Sequence, residues 1–486
     1  MGRRVTIDPI TRLEGHGRIE ILLDDAGEVD RATLQTPDLR GFERFCRGRA
    51  AEEMPRLIQK ICGVCPTAHH TASVQALDDL FQVDPPEAAL LIRELLYCAF
   101  IVEDHCLHFY FLGGPDFLVR DSAPKEERNL FGVLERIGSE HGRHLMTLRR
   151  RVRGIHDLLG GSSLFPVYGL PGGVARSVRQ EDREQIRAVA VEAVVLARKT
   201  LDLFMELVLR DRRFSDLIFD PVFSDPTYYL GTVDAHGRLS FCQGDLRVVD
   251  TEGNEAVRFS PQDYQRYLTE TVTPESYGKP LYFKTPGAQS EASGRDRIVY
   301  RVGPLARLNV ADGLSTPLAQ RESERMFDYL GGKPAHNLYA YHWARLIELL
   351  HAGERMLAIA GRTALTDSHV RNLTDGIRDE GVGACEAPRG TLIHHYWSDE
   401  RGVIRALNLL VATQNNLAAL SHSITRAARK YIRAGEVSEG LTNGVEMAFR
   451  AYDPCLACAV HAAGEGSSMP IHIYDHEKRL IKTIRR

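Results

Sequence analysis

Two Cys-x-x-Cys pairs stand near opposite ends of this chain, Cys62-Gly63-Val64-Cys65 and Cys455-Leu456-Ala457-Cys458, 390 residues apart (65 to 455). If they serve one site, the fold must close its first and last segments onto each other. Each pair also has a histidine on its C-terminal side, His69 and His461. A single such pair is weak evidence, because thioredoxin-like dithiols and chance both produce it. Two pairs point to a metal. Zinc ribbons hold their pairs about 15–20 residues apart within one small module, so a local zinc knuckle is not the natural reading. Four soft thiolates suit zinc, copper, an iron–sulfur cluster or nickel. His69 lies about one helical turn beyond Cys65, where it is placed to donate to a ligating sulfur; His70 is equally eligible.

The remaining five cysteines of nine (Cys46, Cys98, Cys106, Cys242, Cys385) follow no spacing motif and read as buried small hydrophobes in a reduced, cytoplasmic setting. With 61 basic and 65 acidic residues, nothing points to nucleic acid. No apolar run approaches the roughly 18 residues of a membrane span. The opening Met1-Gly2-Arg3-Arg4 mimics acylation and export signals, but Thr6-Ile7-Asp8-Pro9 supplies no apolar segment behind it.

The pattern along the chain is that of an α+β protein, mainly α: a long-helix bundle core with an N-terminal β-hairpin region and a β-rich insertion. Region 1–50 is strand-rich, with a turn at Asp24-Asp25-Ala26-Gly27. Region 51–211 is a helical core carrying the first Cys pair. One helix is expected to start at Asp84-Pro85-Pro86-Glu87, with Asp84 capping and Glu87 completing a capping box, and to stop at Gly113-Gly114-Pro115. Others are expected over 125–160 and 180–210. Turn signals such as Asp234-Ala235-His236-Gly237 mark 212–310 as the β-rich insertion. Region 311–461 returns to helix, near 318–330 and 335–362, with a hairpin over 389–413 and helices leading to the second Cys pair. The last segment is 462–486. We expect these regions to form one integrated catalytic unit. Between Leu95 and Leu112 the helix that starts near Asp84 is apolar on nearly every face, yet carries Glu103, Asp104, His105 and His108. Burying such groups costs several kcal/mol unless they are paired, so they form either an internal ion-pair network or the wall of an active site.

The stretches Ile61-Cys62-Gly63-Val64-Cys65-Pro66-Thr67-Ala68-His69 and Asp453-Pro454-Cys455-Leu456-Ala457-Cys458-Ala459-Val460-His461 resemble the large subunit of nickel–iron hydrogenases. So do Asp8-Pro9-Ile10-Thr11-Arg12-Leu13-Glu14-Gly15-His16, Arg40-Gly41-Phe42-Glu43, Asp104-His105-Cys106-Leu107-His108-Phe109-Tyr110 and Glu386-Ala387-Pro388-Arg389-Gly390, in that family's order. The resemblance implies that Cys62 and Cys455 are terminal nickel ligands, and that Cys65 and Cys458 bridge nickel to an iron carrying cyanide and carbon monoxide. Arg389 would stand over the open position between Asp104 and Asp453, Thr413 would hydrogen-bond a cyanide, and His69 would donate to Cys458. Glu14 would take the proton from a nickel-bound cysteine. Glu43, the carbonyl of Leu409 and His461 would hold a hydrated Mg2+. The reaction implied is reversible cleavage of H2 into protons and electrons, the latter leaving through an iron–sulfur small subunit.

The family's chains usually mature by cleavage just after the last motif residue, here between His461 and Ala462, which makes 462–486 an expected maturation extension. Lys60 stands where arginine commonly precedes the first pair, with the charge kept. Asp84-Pro85-Pro86 and Phe111-Leu112-Gly113-Gly114-Pro115-Asp116-Phe117 resemble the cytoplasmic multi-subunit branch. Within it the closer type is the non-F420-reducing one that serves heterodisulfide reductase; the alternative is the bidirectional type linked to an NAD diaphorase. Three rivals remain: a structural zinc protein, a thiol–disulfide oxidoreductase, and the metal-free quinone-binding relative in respiratory complex I, which typically lacks the four cysteines.

Overall fold

A computed structural model describes residues 4–119, 125–273, 276–284, 297–374, 376–462, 471–474 and 479–484. Its first sheet is antiparallel, β1 (Arg4–Ile7), β2 (Arg18–Leu23) and β3 (Val29–Gln35). β2 alternates as the sequence does, with Ile19, Ile21 and Leu23 facing the core. The 24–27 turn joins β2 to β3 as expected, with Gly27 at φ +82°.

The helical body comprises α1 (Pro66–Leu80), α2 (Glu87–Leu107), α3 (Ser139–Gly160), α4 (Gln180–Phe204), α5 (Ala340–Ala360), α6 (Ala412–Tyr431) and α7 (Glu439–Ala451). α2 and α5 lie at its centre, α5 packed on α4 and α2, and α3 covering α2. α2 starts at Glu87, not at Asp84. Pro85 and Pro86 hold the preceding backbone extended, with Pro86 at ψ 162°, so the Asp84 capping box does not form. Glu87 pairs instead with Arg362 at 2.5 Å. α2 continues through a widened turn, His108–Gly113, to the expected stop. Contrary to the expectation from the sequence, this stretch is by length and a mean hydropathy of 1.3 long and apolar enough to cross a membrane, its few charged residues being spread among apolar ones. Its apolar surface is covered by the neighbouring helices, with 78% of the span buried.

The helix expected over 125–160 is broken at Gly138 (φ +86°, ψ 149°) into Leu130–Ile137 and α3. The one over 180–210 ends at Phe204 and runs on as a wider turn, Met205–Leu209. The insertion is β-rich only in its middle. Helices Arg212–Phe219 and Pro304–Val310 flank a four-stranded sheet of β4 (Tyr228–Val233), β5 (Asp245–Val249), β6 (Glu255–Phe259) and β7 (Tyr300–Arg301), in the order β7-β4-β5-β6. The expected hairpin over 389–413 is part of a three-stranded antiparallel sheet, β8 (Glu380–Ala387), β9 (Gly390–Ser398) and β10 (Ile404–Leu410). α1 lies directly on β8. A Cβ at Gly381 would collide with the Ala76 carbonyl, and one at Gly383 with that of Ala72, so glycine permits the contact. That contact brings the first Cys pair, just before α1, beside the β8–β9 turn.

The chain ends meet as the cysteine spacing requires. Glu14 forms a parallel backbone bridge with Cys455, and the Leu456 N–H donates to the Glu14 carbonyl at 2.9 Å. α6 packs on β3, and α7 on α6. Beyond His461 the described residues include a short antiparallel pair, Ile471–Tyr474 with Leu480–Ile484.

Candidate metal centre

The four sulfurs converge. Their Sγ atoms all lie within 4.8 Å of one another and every one of the four residues is buried. Cys62 is 3.3 Å from Cys455, Cys65 is 3.4 Å from Cys458, and Cys455 is 2.8 Å from Cys458. Among the described residues this is the one group of three or more His, Cys, Asp or Glu side chains placed to hold a metal. Thiolates at this spacing demand a compensating cation. Cys62 is the thiol pushed well down: burial opposes ionisation, but hydrogen bonds from Cys455, Cys458 and Cys65 outweigh it. Burial pushes Cys455 and Cys458 well up. The donor set is soft and fourfold, which fits a thiolate-bound nickel–iron centre.

Backbone geometry builds this cradle. Cys65 N–H and Val64 N–H both donate to Cys62 Sγ, at 3.1 and 3.3 Å. Thr413, in the first turn of α6, accepts the Cys455 N–H at 2.8 Å, leaving its hydroxyl proton for another partner. A small cavity beside the sulfurs is lined by Ala387, Leu392, Val411 and Ala412 on its apolar side, and by Arg389 and Thr413. Such a wall suits small ligands carried on a metal better than protein donors.

Arg389 lies in the β8–β9 turn and is fully enclosed. Its Nη1 donates to Asp104 Oδ2 at 3.1 Å and its Nη2 to Asp453 Oδ1 at 3.2 Å. Asp453 adopts φ +55°, a left-handed conformation that costs a side-chain-bearing residue about 1–2 kcal/mol. Asp104 comes from α2 and is pushed up to about 7 by desolvation, against the pull of Arg389. The two outer oxygens, Asp104 Oδ1 and Asp453 Oδ2, and Arg389 Nε are buried without protein partners. The polar residues of α2 thus divide. Asp104 enters the site, while Glu103 meets Arg149 and Arg153 at 2.6 and 2.7 Å, and His105 meets Glu348 at 3.0 Å. His108 Nε2 donates to the Arg450 carbonyl at 3.0 Å.

Glu14 reaches the sulfurs from the N-terminal segment. Its Oε2 accepts from Cys455 Sγ at 2.9 Å and from the Ala457 N–H at 3.3 Å. Desolvation, then the neighbouring Cys62, raises its pKa. Gly15 beside it has φ +86°, and a Cβ there would lie 2.5 Å from the Ala457 nitrogen. Gly15→Ala is therefore expected to cost at least about 1–2 kcal/mol in backbone strain alone and to push the second Cys pair off register. The check is a lowered melting midpoint together with metal content below that of the wild type.

Of the two candidate histidines only His69 reaches the sulfurs, with Nε2 3.4 Å from Cys458 Sγ. His70 donates from Nδ1 to the Pro55 carbonyl and accepts the Gly169 N–H at Nε2. Glu43 and His461 meet at 3.4 Å, and the Leu409 N–H donates to Glu43 at 3.0 Å. His461 Nδ1 donates to the Cys458 carbonyl at 2.7 Å, which leaves Nε2 facing Glu43. Burial raises the Glu43 pKa, but His461 and the Leu409 N–H outweigh it and the net direction is down. Cys385 packs under Tyr97 at 3.4 Å, a structural role as its lack of motif suggested.

Sequence reasoning overlooked the layer behind Arg389. Arg307 uses all five N–H donors: two on Glu348 at 2.6 Å each, one on Glu386 at 2.9 Å, and two on the Ala387 and Pro388 carbonyls at 2.8 and 3.2 Å. It also overlooked Arg450 and Glu446 on α7. Arg450 binds Asp116 and Glu446, Thr11 binds Glu446 at 2.8 Å, and Arg12 joins Asp116. These contacts fix the segment that carries Glu14. The only sequence sign was charge on otherwise apolar helix faces.

The model of the nickel-dependent hydrogenase family matches residues 40–157 and 275–461, and a HoxL-like model matches 4–39. The chain is 44% identical to an F420-non-reducing hydrogenase iron-sulfur subunit of Archaeoglobus profundus, over 99% of both chains. It is 33% identical to the NAD-reducing hydrogenase HoxS subunit beta of Cupriavidus necator, again over 99% of both. Among solved structures, an NAD+-reducing nickel–iron hydrogenase in its H2-reduced state superposes with a TM-score of 0.88 and 35% identity, covering 94% of this chain and 99% of that one. With the sulfurs gathered and the family's motifs in place around them, this chain belongs to the nickel-dependent hydrogenases.

Proposed function

We propose that this chain is the catalytic subunit of a non-F420-reducing hydrogenase, cleaving H2 reversibly and heterolytically at a centre held by Cys62, Cys65, Cys455 and Cys458. The observation that carries this reading is a carboxylate oxygen of Glu14 2.9 Å from Cys455 Sγ, inside a buried four-sulfur cluster. When bound, a nickel–iron centre with cyanide and carbon monoxide on iron supplies the open position that polarises H2 and takes up its electrons. Cys455 Sγ takes the proton and Glu14 Oε2 receives it. Burial favours this, because a raised carboxyl pKa moves the acceptor toward that of the thiol. Arg389, clamped by Asp104 and Asp453, supplies a fixed positive charge over the reacting position. Thr413, whose hydroxyl oxygen already accepts the Cys455 N–H, would have its proton free to donate to a cyanide of such a centre, and the apolar wall keeps water out. Glu43, the Leu409 carbonyl and His461 would hold a Mg2+, for which hard oxygen donors and one imidazole lone pair are suited.

Four cysteines hold the centre and the other five follow no cluster spacing, so electrons leave through an iron–sulfur partner subunit. Several relatives named F420-non-reducing hydrogenase subunits, at 36–44% identity, support the non-F420-reducing type over the NAD-linked one, represented by a relative at 33% identity; for that type we propose a cytoplasmic complex serving heterodisulfide reductase. We also propose cleavage after His461, where the family match ends; the active protein then has a mass ending at His461.

Elemental analysis should find nickel and iron, and infrared spectra should show bands of iron-bound cyanide and carbon monoxide. Glu14→Gln should keep both and lose about 10²–10⁴-fold of H2-dependent dye reduction, the usual span for one proton-transfer group. Zinc as the sole metal, or full turnover in Glu14→Gln, would overturn the assignment.

A further inference from the structure

The hairpin turn that presents Arg389 is held by side chains from other elements. Arg307 takes the Ala387 and Pro388 carbonyls. Two asparagines in the first turns of α6 take two more. Asn415 Nδ2 donates to the Thr391 carbonyl at 3.1 Å, and Asn416 Nδ2 to the Arg389 carbonyl at 3.3 Å. Asn416 also serves both backbone groups of Val302, the residue after β7. Its Oδ1 accepts the Val302 N–H at 2.9 Å, and its Nδ2 donates to the Val302 carbonyl at 3.3 Å. The backbone decides which way this amide points. The Val302 N–H can only donate and the two carbonyls can only accept, so a reversed amide would set like against like at all three contacts.

The two backbones joined by Asn416 lie very close. Gly303 has φ +100°, and a Cβ there would stand 2.9 Å from the Arg389 carbonyl oxygen. Asn416, Val302 and Arg389 are each at most 2% exposed, so a group left unpaired among them costs about 1–3 kcal/mol. The same stretch of α6 also holds the opposite side of the site. Thr413, which accepts the Cys455 N–H, lies three residues before Asn416 and therefore beside it on the helix surface. One face of α6 thus grips Cys455 through Thr413 and the Arg389 backbone through Asn416. The far end of Arg389 is tied separately, to Asp104 and Asp453.

We propose that Asn416 is a positioning residue: by binding the Arg389 carbonyl to the helical face that also holds Cys455, it sets where the guanidinium stands relative to the sulfurs. The inference rests on the metal-centre reading above and extends it to a side chain that does not line the cavity beside the sulfurs. A misplacement of about 1 Å arising away from the chemistry can cost about 10²-fold in rate. Asn416→Ala and Asn416→Ser are therefore expected to keep nickel and iron and to lose about 10–100-fold of H2-dependent dye reduction.

The test reads infrared bands of iron-bound cyanide and carbon monoxide in the metal-loaded protein, together with nickel content, turnover and melting midpoint. Asn309→Ala is the matched control. Asn309 is a buried amide that likewise bridges both backbone groups of one residue, Ala335, at 2.8 and 2.9 Å, but binds no part of the turn. Its loss should lower the melting midpoint and leave bands and turnover at wild-type values. Both Asn416 variants should shift the bands, because the charge beside the cavity moves. Gly303→Ala keeps the amide, presses on the same carbonyl from the other backbone, and should shift them too. Wild-type bands and turnover in the Asn416 variants, or in Gly303→Ala should those variants not fold, would overturn the proposal and leave the metal centre intact. So would an equal band shift in Asn309→Ala. A wild type with no such bands would overturn the metal-centre reading, and this one with it.

Discussion

Cys455→Ser is expected to leave the protein folded but nickel-poor, with H2-dependent dye reduction reduced by more than the 10–100-fold typical of losing an outer-shell partner. The substitution swaps a soft sulfur for a hard oxygen whose proton is retained at neutral pH. It also removes the atom 2.9 Å from Glu14 Oε2. Three of the four sulfurs remain, along with Arg389, its two carboxylates and the apolar wall. The surrounding core is extensive, so the melting midpoint should fall little. The combination separates the rivals. A structural zinc site predicts unfolding when its metal is stripped. A dithiol oxidoreductase built on Cys62 and Cys65 predicts that Cys455 is dispensable. Full nickel content with normal turnover would remove Cys455 from the ligand set.

Arg307→Met is expected to cost about 3–5 kcal/mol at neutral pH, because it strands two buried carboxylates that the guanidinium now neutralises. The pH dependence carries the signature. Desolvation raises the Glu348 pKa, but both guanidinium contacts and His105 more than offset it and hold the residue at about 2, against an ordinary 4.5. Its folded pKa is thus depressed. It contributes stability above about pH 4.5, and that contribution fades as the pH falls from 4.5 toward 2. Glu386 behaves differently although it shares the same arginine. Desolvation dominates and its pKa is raised, since it receives one guanidinium hydrogen and leans on Thr232 and Thr391 hydroxyls. Without Arg307 both carboxylates are free to protonate, so the gap between variant and wild type should narrow on acidification. Melting midpoints from pH 7 to pH 3 measure it. A gap below about 1 kcal/mol, or one that is flat with pH, would mean that the network does not stabilise the turn carrying Arg389.

Most of the site was legible because metal chemistry demands particular residue types at fixed local spacings. Cys-x-x-Cys pairs and carboxylates within short motifs are local facts, and the resemblance supplied their pairing. What stayed hidden is non-local. Arg307, Glu348 and Asn416 sit on three different elements and carry no spacing between them. Their roles appear only once α1 lies on the β8–β10 sheet and α5 packs on α2 and on the Pro304–Val310 helix. Periodicity reveals that a helix exists, but its ends are decided by backbone chemistry: Pro86 delays α2, and Gly138 splits the segment before α3. The insertion between 212 and 310 reads as β-rich with no helix in it, because its turn signals are strong and the short helices at its edges have few turns in which to show a period.

The bridge between Glu14 and Cys455 has a consequence for synthesis. A ribosome that has made the first 450 residues has released two of the four sulfurs and the carboxylate that serves the third, yet nothing for them to close around. If the four sulfurs together hold the centre, loading follows translation, and a product truncated before Cys455 is inert however well its helices have folded.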